Sequence, residues 1–192
     1  DNVYQKIKVS TTPLEKIFLH LLINEIETAA KIAIDSDNSH LSILISMLGS
    51  NDPRLKALAH TQIEQWSGIG SNVEIYVAKI YKLLSGELFK GPFSLIENAE
   101  DVNWLVLVGA ALHYGEVDEL SLEDLIGNSM ACLSDHCSGV FYLLLKLFCS
   151  TRNADQVLQE ILKESNALGI DFLWHCLQAL ESNGIADINN PF

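Results

Sequence analysis

Asn24-Glu-Ile-Glu-Thr-Ala-Ala-Lys-Ile-Ala-Ile-Asp35, then Ser39-His-Leu-Ser-Ile-Leu-Ile-Ser-Met-Leu-Gly49, then Asp52-Pro53 on to Trp66: three segments follow one another with almost no spacing. Each carries its own start and stop signals. Asn24 is placed to cap the first, with Glu27 three residues on, and Ile26, Ala29, Ala30, Ala33 and Ile34 fall at helical intervals on one face. Ser39 opens the second and Gly49 closes it. Asp52-Pro53 starts the third, with proline at a first-turn position that a helix tolerates. A small-residue helix followed by an almost wholly apolar one requires neighbours packed closely on two sides. No residue here is arranged for chemistry. The stretch predicts stacked helices, not an enzyme pocket.

The same grammar extends outward. Thr12-Pro-Leu-Glu15 predicts a capping box, with Leu14, Ile17, Phe18, Leu21 and Leu22 on one stripe. Ser71-Asn-Val-Glu74 predicts another, leading a helix whose face is Val73, Tyr76, Val77, Ile80, Tyr81 and Leu84. Phe93 to Asn98 predicts one short helical turn. Asp101 to Tyr114 predicts an apolar helix ended by Gly115, and Ser121 caps the next with Asp124 at its third position. Val140 to Cys149, Asn153 to Leu168 and Asp171 to Glu181 complete the series. Only residues 1–11 differ: Val3, Gln5, Ile7 and Val9 alternate with Tyr4, Lys6 and Lys8, as in a lone strand or a tail. The expected class is all-α, an irregular α-helical solenoid or fold-back helical bundle of about ten helices with short loops. Residues 12–192 form its helical domain, a fragment of a larger one by this reading. The chain begins without Met and stops at Asn-Asn-Pro-Phe192 just past a predicted helix.

Composition narrows the function. Hydrophobic residues make up 48% and charged residues 19%, a balance that supports a folded core. The formal charge of -13 and pI near 4.7 disfavour a nucleic-acid interface, which needs clustered Lys and Arg, and an anionic membrane surface. The apolar runs Trp104–Leu112 and Val140–Cys149 fall short of the roughly 20 residues that span a bilayer, so no membrane insertion is expected. Four cysteines (Cys132, Cys137, Cys149 and Cys176) sit in apolar helical patterns, as expected of buried thiols in a reducing compartment.

Catalytic and metal patterns are wanting. Cys132, Asp135, His136 and Cys137 form the densest ligand set, but structural zinc needs a second short-spaced pair. Gly68-Ile-Gly70 follows a helix and lacks the lysine of a phosphate loop. Ser121-Leu-Glu-Asp124 resembles an acidic kinase target, and a capping serine explains it equally well. No metal, cofactor or catalytic residue is assigned.

The anomaly is the segment from Ser39 to Leu48. Leu41, Leu44, Ile45 and Leu48 suffice for one core stripe, yet Ile43 and Met47 add a second apolar face. Either neighbouring helices of the same chain cover that face, or part of it meets another protein. The same two readings attach to Leu55 and Trp66 on the following helix.

These residues also carry a resemblance. Glu27-Thr-Ala-Ala-Lys-Ile-Ala33, His40-Leu-Ser-Ile-Leu-Ile-Ser46, Gly49 and the Gln62…Trp66 helix resemble the helical domain of a scaffold nucleoporin family. The family comprises the C-terminal product of the autoproteolysed fungal nucleoporin 145 precursor and vertebrate nucleoporin 96. Ile80-Tyr-Lys-Leu-Leu-Ser-Gly86, Trp104…Leu112-His-Tyr-Gly115 and Ser121-Leu-Glu-Asp124 continue the likeness in order, from about Ile23 to Leu180, in a fungal version. The resemblance implies a U-shaped fold of the ancestral coatomer element type, shared with helical cage subunits of the COPII vesicle coat. It implies a scaffold role in the Y-shaped outer-ring subcomplex at the nuclear envelope, supporting mRNA export and nucleocytoplasmic transport. Two partners follow from it. One is a helical nucleoporin held by a fold-back crown, matched here by Ser39 to Trp66 with Ile43, Met47, Leu55 and Trp66 as contacts. The other is a β-propeller subunit shared with COPII, bound through an inserted β-blade for which this chain offers at most the strand Val3 to Val9. A weak homodimer is expected of the isolated chain. A vesicle-coat cage subunit is the alternative, and an enzyme with an unrecognised site a remoter one.

Overall fold

Short polar side chains set the helix starts. Thr12 accepts from the Glu15 N–H at 3.3 Å, with Pro13 opening the helix behind it. Asp52 Oδ1 accepts from the Arg54 N–H, Asn103 Oδ1 from Leu105, and Ser94 Oγ from Ile96. Ser121 and Asp124 form a complete capping box. The computed structural model describes residues 2–48, 52–69, 73–99, 101–115, 121–149, 157 and 159–161. Among these residues it has nine α-helices: α1 (Asn2–Val9), α2 (Pro13–Leu22), α3 (Ile26–Asp35), α4 (Ser39–Met47), α5 (Pro53–Ile69), α6 (Ile75–Ser85), α7 (Trp104–Tyr114), α8 (Leu122–Cys132) and α9 (Val140–Cys149). A 3-10 turn covers Leu95–Asn98. The all-α class holds: among the described residues there is no strand.

The strand or tail expected before residue 12 is a helix instead. Alternation over so few residues cannot separate the two periods, and packing decides. Once α1 is helical it lies along α2 and buries Val3 at 4% exposure. Tyr4 donates to Glu25 Oε1 at 2.8 Å, and Lys6 pairs with Asp101 at 3.0 Å. Three predicted caps also move. Asn24 adopts a left-handed φ of 60° and leaves the cap position of α3 to Glu25, Asn38 precedes α4, and Glu74 itself caps α6 by accepting from Tyr76 and Val77. The box expected at Thr12 is half-formed. Glu15 does not reach back to the cap; it accepts from Ser10 Oγ at 2.6 Å and from Tyr76 Oη at 3.0 Å, tying α2 to the end of α1 and to α6.

Two compact units divide the chain, Asp1–Cys137 and Ser138–Phe192, a boundary that the even run of helix signals does not mark. In the first, α3 packs on α2 and α4 on α3, while α5 packs on α6. Helix α2 also meets α6 and α7, so the chain folds back on itself around α2. Ile17, Phe18, Leu21 and Leu22 are fully buried there, with Ile80, Leu83 and Leu107. Helix α6 is buried over most of its length, and two lysines go under with it. Lys79 lies over the Phe18 and Tyr76 rings, 5.9 and 5.7 Å from their centres. Lys82 is 1% exposed, and burial pushes its ammonium pKa down against the opposing pull of Glu87. In the second unit, Leu143, Leu147, Val157 and Ile161 form a small core. The helices predicted for Asn153 to Leu168 and Asp171 to Glu181 lie outside the described residues, apart from the helical positions 157 and 159–161.

Tyr114 fastens the fold-back. Its hydroxyl donates to the Leu21 carbonyl at 2.9 Å, with Asn24 Oδ1 a second acceptor at 3.2 Å. Burial raises its pKa to about 12, so it keeps its proton throughout the physiological range. Tyr114→Phe is expected to lower stability by about 1–2 kcal/mol, read from a denaturant midpoint at unchanged slope. An unchanged midpoint would show that water replaces the bond.

The docking of α1 has a pH dependence with a definite sign. Tyr4 donates to the Glu25 carboxylate, His20 Nδ1 lies 2.6 Å from it, and together they hold its pKa below the ordinary 4.5. A depressed folded value means that this contribution is present above about pH 4.5 and lost as pH falls through the lower folded value. Hydrogen exchange in α1 should accelerate in that acidic window, and Glu25→Gln should remove the dependence. Equal acid response in the variant would assign the effect elsewhere.

Candidate partner-binding surface

Helix α4 is where the sequence predicts an apolar face beyond the core. Leu41 and Ile45 are buried, at 1% and 0%, against α3. Ile43 is 63% exposed and Met47 39%, and their spacing of four places them side by side on the outer face. No Asp, Glu, Lys or Arg occurs between Ser39 and Met47. Ser46 spends its hydroxyl on the Ser42 carbonyl at 2.8 Å, so it adds little polarity.

The end of α4 and the start of α5 meet over α6 and the end of α7, leaving a groove of about 180 Å³. Met47 and Leu48 form one wall, Asp52, Leu55 and Lys56 another, and Leu83, Leu84, His113, Tyr114 and Gly115 the floor and far side. Lys56 Nζ reaches the Gly115 carbonyl at 3.5 Å, which satisfies a terminal carbonyl of α7. Leu55 is half-buried.

The four predicted contact residues are therefore not equivalent. Met47 and Leu55 line one groove, and Ile43 adjoins Met47. Trp66 lies eleven residues from Leu55 along α5, half-buried, with its ring 4.9 Å from Tyr81 in an edge-on stack that holds α5 to α6. Leu58 was missed. It is 69% exposed and three residues from Leu55, hence adjacent on the helix surface. In sequence it is indistinguishable from the core positions Ala59 and Ile63. Ile34, placed on the inner stripe of α3, is 58% exposed, because the two alanines Ala29 and Ala33 make the close contact instead.

Other clusters are less organised. Cys132 is exposed and Cys137 and Cys149 partly buried, against the expectation of buried thiols. Among the described residues no three His, Cys, Asp or Glu side chains converge to hold a metal ion. Among them, too, no helix is long and apolar enough to cross a membrane.

The sequence model of a family described as Nuclear protein 96 matches residues 15–191, nearly the whole chain. The chain belongs to the nuclear protein 96 family. It is also 41% identical over 182 residues to Nucleoporin NUP145 of Saccharomyces cerevisiae, a match covering 95% of this chain and 14% of that protein. The resemblance drawn from these motifs is thus correct at the level of family. Membership makes this chain a segment of a nucleoporin family.

Proposed function

We propose that this chain is a scaffold segment of the Y-shaped outer-ring subcomplex, joined to a second helical nucleoporin through the region Ser39 to Trp66. By holding that ring together it supports mRNA export and nucleocytoplasmic transport. The observation behind the proposal is the outer face of α4: Ile43 and Met47 stand exposed beside a groove walled by Leu55. Burying one such side chain contributes on the order of 1.5–3 kcal/mol, enough for a few of them to anchor an interface. Trp66, already stacked on Tyr81, supports that surface and marks its far edge. Contact with a β-propeller subunit through an inserted blade is part of the same proposal.

The test is reconstitution with the helical nucleoporin partner. Met47→Asp should weaken the complex about a hundredfold while leaving helicity and melting in place. A complex that survives Met47→Asp at full affinity would remove α4 from the interface.

A further inference from the structure

We propose that the α4–α5 surface takes a basic amphipathic helix, one with an apolar ridge flanked by lysine or arginine. The inference rests on that surface being the docking site and goes on to name the chemistry of its occupant. Charge carries the argument. Residues 39–69 contain two acidic and two basic residues, so the whole formal charge of -13 lies on the rest of the chain. Lys79 and Lys82 are buried in α6, which withdraws two of the twelve cations from the surface and leaves it more acidic still. The exposed apolar face at Ile43 and Met47 is therefore a neutral window in a strongly negative protein.

Such a window selects its partner twice. At contact range the outer face of α4 has no charge for a partner to pair with, so what seats on Ile43 and Met47 must be apolar; the adjoining groove of about 180 Å³ between Met47 and Leu55 has room for one large side chain and carries Asp52 and Lys56 on its wall. At longer range the negative field attracts positive flanks and repels negative ones. A second copy is the poorer occupant, because it brings the same apolar window and the same -13.

Two synthetic helical peptides test this on the whole chain. They share one leucine ridge, flanked by lysines in one and by glutamates in the other, and binding is followed by fluorescence anisotropy. The lysine peptide should bind, its association rate falling by about tenfold from low to high salt, and the glutamate peptide should not. The uncharged double variant Ile43→Ser, Met47→Ser should lose the lysine peptide at least tenfold with its circular dichroism unchanged. Equal binding of the lysine peptide to that variant would show diffuse attraction to acidic surface, and the inference falls. Equal binding of both peptides, each lost in the variant, overturns the charge selection while the docking surface stands. Binding of neither peptide, alongside an intact Met47-dependent complex with the helical nucleoporin, likewise overturns the inference alone. A concentration-dependent dimer in light scattering that the double variant abolishes would make the occupant a second copy and overturn it too.

Discussion

Met47→Asp is expected to keep its helices and lose its partner, whereas Ile45→Asp, two residues earlier on the same helix, is expected not to fold. Ile45 is 0% exposed, so an aspartate there forfeits the burial of a large aliphatic side chain and leaves an unpaired carboxylate in the core. The combined cost is upwards of about 5 kcal/mol, comparable to the whole stability of a typical domain. Met47 is 39% exposed and faces outward. An aspartate there is hydrated, and its main penalty is a negative charge in the last turn of α4, about 0.5 kcal/mol. At an interface the same change desolvates a charge against an apolar partner, which costs about 3 kcal/mol or more, roughly a hundredfold in affinity. Circular dichroism and calorimetric titration of both variants decide the matter. Unfolding of Met47→Asp would make that residue core and remove it from the surface.

Gly115→Ala is expected to be the most damaging single-methyl change in the first unit. The glycine ends α7 in an extended conformation that any residue adopts, so backbone strain is not the reason. Its Cα lies so close to the preceding turn that an added Cβ would collide with the Ala111 carbonyl oxygen, an atom of the backbone that cannot turn aside. The same turn carries Tyr114, fastened to Leu21, and the Gly115 carbonyl held by Lys56. Relief requires the end of α7 to shift, at a cost of about 2–3 kcal/mol, or roughly 5–10 °C in melting temperature for a chain of this size. Gly115 also lines the groove beside Met47 and Leu55, so partner affinity should fall along with stability. A melting temperature equal to that of the parent would mean the turn relaxes freely.

Much of this was legible in the residues. Proline at positions 13 and 53, the caps at Thr12, Asp52 and Ser121, and the intervals of Ile17, Phe18, Leu21 and Leu22 are signals read within one or two turns. They are local because a helix closes its hydrogen bonds four residues apart and buries one stripe. The excess at Ile43 and Met47 was visible for the same reason: α4 holds more apolar residues than one stripe can use.

What the sequence determined by itself was therefore the helical class, most helix boundaries, the absence of charge on α4 and the family to which the order of motifs belongs. The tertiary structure alone decided which face of each helix is covered. It made a helix of Asn2–Val9, sank Lys79 and Lys82, left Ile34 and Leu58 outside, joined Met47 to Leu55 across a groove and committed Trp66 to Tyr81. Helix formation depends on neighbours in the chain. Burial depends on which distant helices arrive, and α6 and α7 reach α2 from more than fifty residues away.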